Sequence, residues 1–130
     1  MDDIIKSQDK KTPQLVLNTE KGLIEMRGSS IMEDATAFYD PIMKWLYEYV
    51  DHPKDTLVNV DLEYFNTSSA KVLLIIFKTL SNIQKSGCKV NVNWHYEEDD
   101  EEIFESGNSF SAMSKIKFNF IKKPSHDKLS

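Results

Sequence analysis

Three hydroxyl side chains in succession, Thr67, Ser68 and Ser69, stand between two apolar runs in NVDLEYFNTSSAKVLLIIFKTL, residues 59–80. A hydroxyl can be a nucleophile, a phosphoryl acceptor or a helix cap, and its neighbours decide which. Nucleophilic catalysis requires a base in reach and a third group to orient it, yet no His or Cys lies close to the run in sequence. NTSSAK also lacks the glycines and the ending of a phosphate-cradling loop. A spatial cluster of His95, Asp61 and Thr67 would be needed to bring catalysis back. Capping is open to Asn66, Thr67 or Ser68, each with a side-chain oxygen to offer an orphan backbone N–H. A phosphoryl group suits the same spot, where free N–H groups and the positive end of a helix dipole accommodate its charge. Lys71, one turn in, could compensate it further. Adding about two negative charges there would change a surface enough to act as a switch.

The elements that must position these hydroxyls can be read from periodicity. QLVLN and GLIEMRG alternate around Thr19-Glu20-Lys21-Gly22 and predict an opening β-hairpin. In EDATAFYDPIMKWLYEYV, the spacing of Phe38, Ile42, Trp45, Leu46 and Tyr49 predicts one helical face. Asp40 as cap and Pro41 at the first helical position suggest a short lead-in followed by a longer helix, ended by His52-Pro53. TLVNVDLEY has the composition of a strand covered on both faces. From Ser68 to about Ser86, Ala70, Leu73, Leu74, Phe77, Leu80 and Ile83 form a wide apolar stripe, with Gly87 just past the helix end. CKVNVNWHY alternates as a half-exposed strand, and six consecutive acids follow, Glu97, Glu98, Asp99, Asp100, Glu101 and Glu102. A short helix over about 100–106, a polar loop or helix extension, and a last strand KIKFNFI complete the order β-β-α-β-α-β-(α)-β. That order is a mixed α/β fold, a small sheet packed against helices, and its central strand-helix-strand favours a parallel pair.

At 130 residues the chain suits a single domain, with an ordered core over about 13–122 and loose polar ends. The formal charge of −5 offers no basic field to nucleic acid or an anionic membrane, which points to protein partners. A single cysteine, Cys88, excludes an internal disulfide and reads as a small buried hydrophobe. With His52, His95 and His126 scattered there is no metal-ligand spacing, and no cofactor or catalytic set is indicated. Nothing resembles a signal peptide or membrane span, so a cytoplasmic address is expected. Tyr39, Trp45, Tyr47 and Tyr49 read as core and boundary residues. Tyr64 and Phe65 could be core or an exposed rim for a partner. The acids from Glu97 to Glu102 fit either a solvated helix start or a docking surface for a basic patch.

Together, AFYDPIMKWLYEYV, DLEYFNTSSAKVLLIIF and VNWHYEEDDEEIFESGNSF occur in an order that resembles the SiaC-type regulatory phosphoproteins over most of residues 13–122. That family is in turn similar to STAS-domain anti-sigma factor antagonists, in which a strand leads to a phosphorylatable residue at a helix start. Those antagonists carry Ser-Gly where this chain has Ser69-Ala70. The resemblance implies a STAS-like fold and a non-enzymatic partner-switching cycle. A Ser/Thr kinase of the histidine-kinase-like ATPase fold would phosphorylate Thr67, and a PP2C-type phosphatase would reverse it. The unphosphorylated form would bind and activate a diguanylate cyclase, linking the chain to cyclic-di-GMP and biofilm signalling. Tyr64, Phe65, Asn66, Ser68, Ser69 and Lys71 would then form the switch region, with Ser68 and Ser69 as cap and first-turn residues. The alternative is a constitutive STAS-like interaction or small-ligand module in which Thr67 to Ser69 only cap a helix.

Overall fold

In the computed structural model, which describes residues 2–125, six strands form one sheet in the order β1-β2-β3-β4-β5-β6. The strands are β1 (Ile4–Lys6), β2 (Gln14–Asn18), β3 (Leu23–Ser30), β4 (Thr56–Phe65), β5 (Val90–Glu97) and β6 (Phe118–Lys123). Helices α1 (Ala35–Tyr49), α2 (Thr67–Lys85) and α3 (Glu101–Ser114) follow β3, β4 and β5. The expected hairpin is β2 and β3, antiparallel, and the expected parallel pair is β4 and β5. Strands β3 and β6 extend the parallel part on either side. Because each helix follows a strand of that parallel set, all three helices begin at the same edge of the sheet, where the strand C-termini gather.

One face of the sheet meets the helices and the other faces solvent. Leu15, Leu17, Ile24, Met26, Val58, Val60, Val92, Trp94 and Phe118 join the helical stripes of Ile42, Leu46, Leu73, Phe77 and Phe110 in one core. The opposite face carries a cross-strand amide ladder in register. Asn59 donates to Glu25 at 3.1 Å, Asn93 to Asn59 at 3.0 Å and Asn119 to Asn93 at 3.2 Å. Asn59 and Asp61 are half-buried on that face and Leu57 is exposed, so β4 is covered on one face and not on both as its composition suggested. Polar side chains that pair with one another across strands make an open face tolerable.

Three further expectations change. The first dozen residues include β1, which pairs antiparallel with β2, too short a strand to show periodicity. Helix α1 is continuous through Pro41, and its cap is Asp34, whose Oδ1 accepts from Ala37 N at 3.0 Å. Asp40 instead pairs with Lys44 at 3.0 Å. Pro41 removes one bond to the Ala37 carbonyl, but Ala37 is exposed and water can meet that oxygen. Helix α3 takes in the whole SGNSFS stretch, which is the helix extension among the two readings open in the sequence. At the C-terminus, Ser125 is 2% exposed and donates to Asp99 at 2.8 Å, while the rest of the expected loose end, His126 included, lies outside the described residues.

Trp94 is the centre of the aromatic core, against Phe65, Phe77, Phe110 and Phe118. Its Nε1 donates to the Ile103 carbonyl at 3.0 Å. Gly107 lets α3 come this close, since a Cβ there would lie 2.5 Å from Trp94 Nε1. Gly107→Ala is therefore expected to lower unfolding stability by about 1–3 kcal/mol despite the better helix propensity of alanine. A denaturant midpoint shift at constant slope measures it.

Candidate functional site

Strand β4 sets the site by breaking its own alternation. Val58, Val60 and Leu62 point to the core, which would send Tyr64 inward and Phe65 outward. The β3 and β4 register slips between Gly28 and Ser29, pairing Gly28 with Leu62 but Ser29 with Tyr64. Glu63 is left as the extra residue of a bulge, with Gly28 at φ 112° opposite. A bulge inverts the faces beyond it. Phe65 accordingly packs edge-on to Trp94, its ring centroid 6.3 Å away, and Tyr64 is 55% exposed.

Asn66 then caps α2. Its Oδ1 accepts from Ser69 N at 2.9 Å, its Nδ2 donates to the Met32 carbonyl at 2.9 Å, and its backbone N–H donates to the Ser30 carbonyl at 3.0 Å. The cap is thus Asn66, leaving all three hydroxyl residues in the first turn. Thr67, first in the helix, is exposed. Ser68 is half-buried, donating to Glu33 O at 3.1 Å and accepting from Ala35 N at 3.2 Å. Ser69 is fully buried, and a chain of hydroxyls runs from Tyr39 Oη through Ser30 Oγ, at 2.8 Å, to Ser69 Oγ, at 2.7 Å. Burial pushes the Tyr39 phenol up to about 12, only partly opposed by its bond to Ser30.

Lys71 is exposed on the turn after Thr67. The acidic run divides by role. Glu97 ends β5, and Asp100 caps α3, its Oδ1 accepting from Ile103 N at 3.1 Å. Glu98, Asp99, Glu101 and Glu102 are exposed around that turn, on the edge where α2 also begins. Asp61 and His95 meet on the open sheet face beside Arg27, and Lys123 pairs with Asp61 there. Burial holds the His95 imidazole below its ordinary range, with Asp61 pulling it up and Lys123 and Arg27 pressing it down. Thr67 lines neither cavity that contains His95. Among the described residues no helix is long and apolar enough to cross a membrane.

The fold has solved counterparts. A chain in the crystal structure of the diguanylate cyclase SiaD in complex with its activator SiaC, from Pseudomonas aeruginosa, superposes with a TM-score of 0.85 at 22% identity. That match covers 93% of this chain and 100% of the other. Apo-SiaC from the same organism gives 0.80 at 23% identity, over 95% of this chain and 99% of its own. An uncharacterized protein of P. aeruginosa strain UCBPP-PA14 is 25% identical over 111 residues, 85% of this chain and 88% of the relative. Residues 5–123 match the SiaC family regulatory phosphoprotein profile. The chain belongs to the SiaC family. Its role is that of a regulatory phosphoprotein and not of an enzyme.

The sequence of this SiaC family member marks the hydroxyl run and carries no local signal of what holds it. Nothing local in the sequence marks Ser30, Met32 or Glu33, and the core or boundary position expected for Tyr39 gives no role to its hydroxyl. Ser30 and Ser69 are 39 positions apart, and no local signal joins them. Met32 Sδ, 3.6 Å from Ser30 Oγ and 3.4 Å from Ser69 Oγ, lines the same junction.

Asn66→Ala should destabilise the protein by about 1–2 kcal/mol, because the cap and the bond to Met32 are lost together, whereas Thr67→Ala should stay within about 0.5 kcal/mol. Paired denaturation curves compare them. The raised Tyr39 pKa stabilises the fold fully below pH ~10, the ordinary value of the unfolded phenol, and this contribution is lost as pH rises towards 12. Stability measured from pH 9 upward should therefore fall in the wild type, and less steeply in Tyr39→Phe.

Proposed function

We propose that this SiaC family member is a cytoplasmic phospho-switch whose acceptor is Thr67. The observation that carries this reading is the graded exposure of the run: Thr67 is open to solvent, Ser68 is engaged with the start of α1, and Ser69 is sealed in the core. A kinase can bring ATP only to an accessible hydroxyl. The γ-phosphoryl group passes to Thr67 Oγ1, which loses its proton, and ADP leaves. The product sits at the positive end of α2, with Lys71 one turn away. The kinase is of the histidine-kinase-like ATPase fold, and a PP2C-type phosphatase restores the hydroxyl.

The effector is a diguanylate cyclase. SiaC of P. aeruginosa is described as the activator of such an enzyme, SiaD, and this chain shares its fold. The unphosphorylated form binds the cyclase, and the phosphate repels or blocks it. Tyr64, exposed beside Thr67, offers an aromatic anchor. The exposed carboxylates of Glu98, Asp99, Glu101 and Glu102 give a docking edge for a basic patch on kinase or effector.

Incubation with a Ser/Thr kinase of the histidine-kinase-like ATPase fold and ATP, followed by peptide mass spectrometry, should place one phosphate on Thr67 and none on Thr67→Ala. Phosphate elsewhere would remove the assignment. Thr67→Glu should weaken cyclase binding by about tenfold or more relative to Thr67→Ala. Equal binding would favour a constitutive interaction module in which the hydroxyls only start a helix.

A further inference from the structure

Ser68 has one hydroxyl proton, and the fold has already assigned it to the Glu33 carbonyl, at 3.1 Å. The same oxygen accepts from the N–H of Ala35, at 3.2 Å. Ala35 is the first residue of α1, and its N–H is among the donors that a helix start leaves unmet. Asp34 serves the Ala37 N–H instead. The first turn of α2 is therefore a second cap on α1, supplied from 33 positions away.

A phosphoryl group on Thr67 would be the covalent neighbour of this junction. It is an ionised acceptor, and bonds to such acceptors are roughly twice as strong as neutral ones, whereas the Glu33 carbonyl is neutral. The exposed carboxylates of Glu33 and Asp34 belong to the segment that Ser68 holds, and a phosphate repels both. The two effects act in the same direction. Resting on Thr67 as phosphoacceptor, we infer that Ser68 passes the phosphorylation state of Thr67 to the start of α1. The phosphoryl oxygens draw the Ser68 hydroxyl away from Glu33, and the Ala35 N–H loses its cap. The surface a partner reads then includes Glu33, Asp34, Thr36 and Ala37, all exposed, as well as Thr67 itself.

The test uses the full chain with phosphothreonine genetically encoded at position 67, so that no kinase is involved, and follows amide hydrogen exchange by NMR. Failure of a kinase to modify Thr67 would count against the proposed cycle alone. With phosphothreonine, exchange at Ala35 should rise by about three- to tenfold, as the loss of one hydrogen bond implies, while amides in α3 stay unchanged. Ser68→Ala should show the raised exchange without the phosphate, and phosphothreonine should add nothing to it. Ser68→Thr, which keeps the hydroxyl, should restore the response and provides a second reading if the alanine variant folds poorly. Unchanged exchange at Ala35 with Ser68 intact, or a rise of equal size in Ser68→Ala, would overturn the inference.

Discussion

The side chain of Asn66 closes the first turn of α2 with its oxygen and holds the Met32 carbonyl with its nitrogen. One amide thus ends strand β4, starts a helix and ties that helix to the chain leaving β3. Ser68 and Ser69 repeat the tie, to Glu33 and Ala35 and to Ser30. Buried polar groups are costly without partners, and here each supplies the other's. Thr67 sits amid this stitched junction with its side chain facing out, so a group attached to it cannot swing the α2 start aside without disturbing the β3–α1 connection.

The topology explains why the junction exists. Parallel strands β3, β4 and β5 run the same way and each leads into a helix, so the helix starts gather at one edge. Each start is capped by a side chain accepting from the backbone three residues on: Asp34 from Ala37, Asn66 from Ser69 and Asp100 from Ile103. Aligned N–H groups and dipoles make that edge favourable for negative charge. The carboxylates of Glu101 and Glu102 already use it in the first turn of α3, and α2, with no acid in its first turn, leaves the favourable position at Thr67 unfilled by the sequence itself. A regulatory phosphate fits that position physically, and the family to which the chain belongs is one of regulatory phosphoproteins.

Rigidity beneath the site comes from the aromatic core. Phe65, one residue before the cap, is anchored against Trp94 and Phe110, and Trp94 is fixed in turn by the Ile103 carbonyl and the bare backbone of Gly107. The start of α2 is thereby held from below by apolar packing and from the side by hydrogen bonds. A surface held on two sides has few arrangements available to it.

Sequence alone determined what is local. Periods of two and of about 3.6 mark β2 to β5 and the helices α1 and α2, because each side chain's choice of face depends on neighbours within a few positions, and a last strand and a short third helix complete the local pattern. The hydroxyl run, the acids after β5 and the likeness to the SiaC family were equally legible. Tertiary structure decided what depends on distant partners. The bulge at Glu63 placed Phe65 inside and Tyr64 outside, and it exists only because β3 and β4 pair with a slip at Gly28. Pro41 stays within α1 because Tyr39 and Ile42 on either side of it are buried in the core, and β1 forms because β2 offers it an edge. The exposure that separates Thr67 from Ser68 and Ser69 is of the same kind. All three are small hydroxyl residues in one helical turn, and their difference lies in Ser30, Glu33 and Ala35, which only the folded chain brings within hydrogen-bond reach.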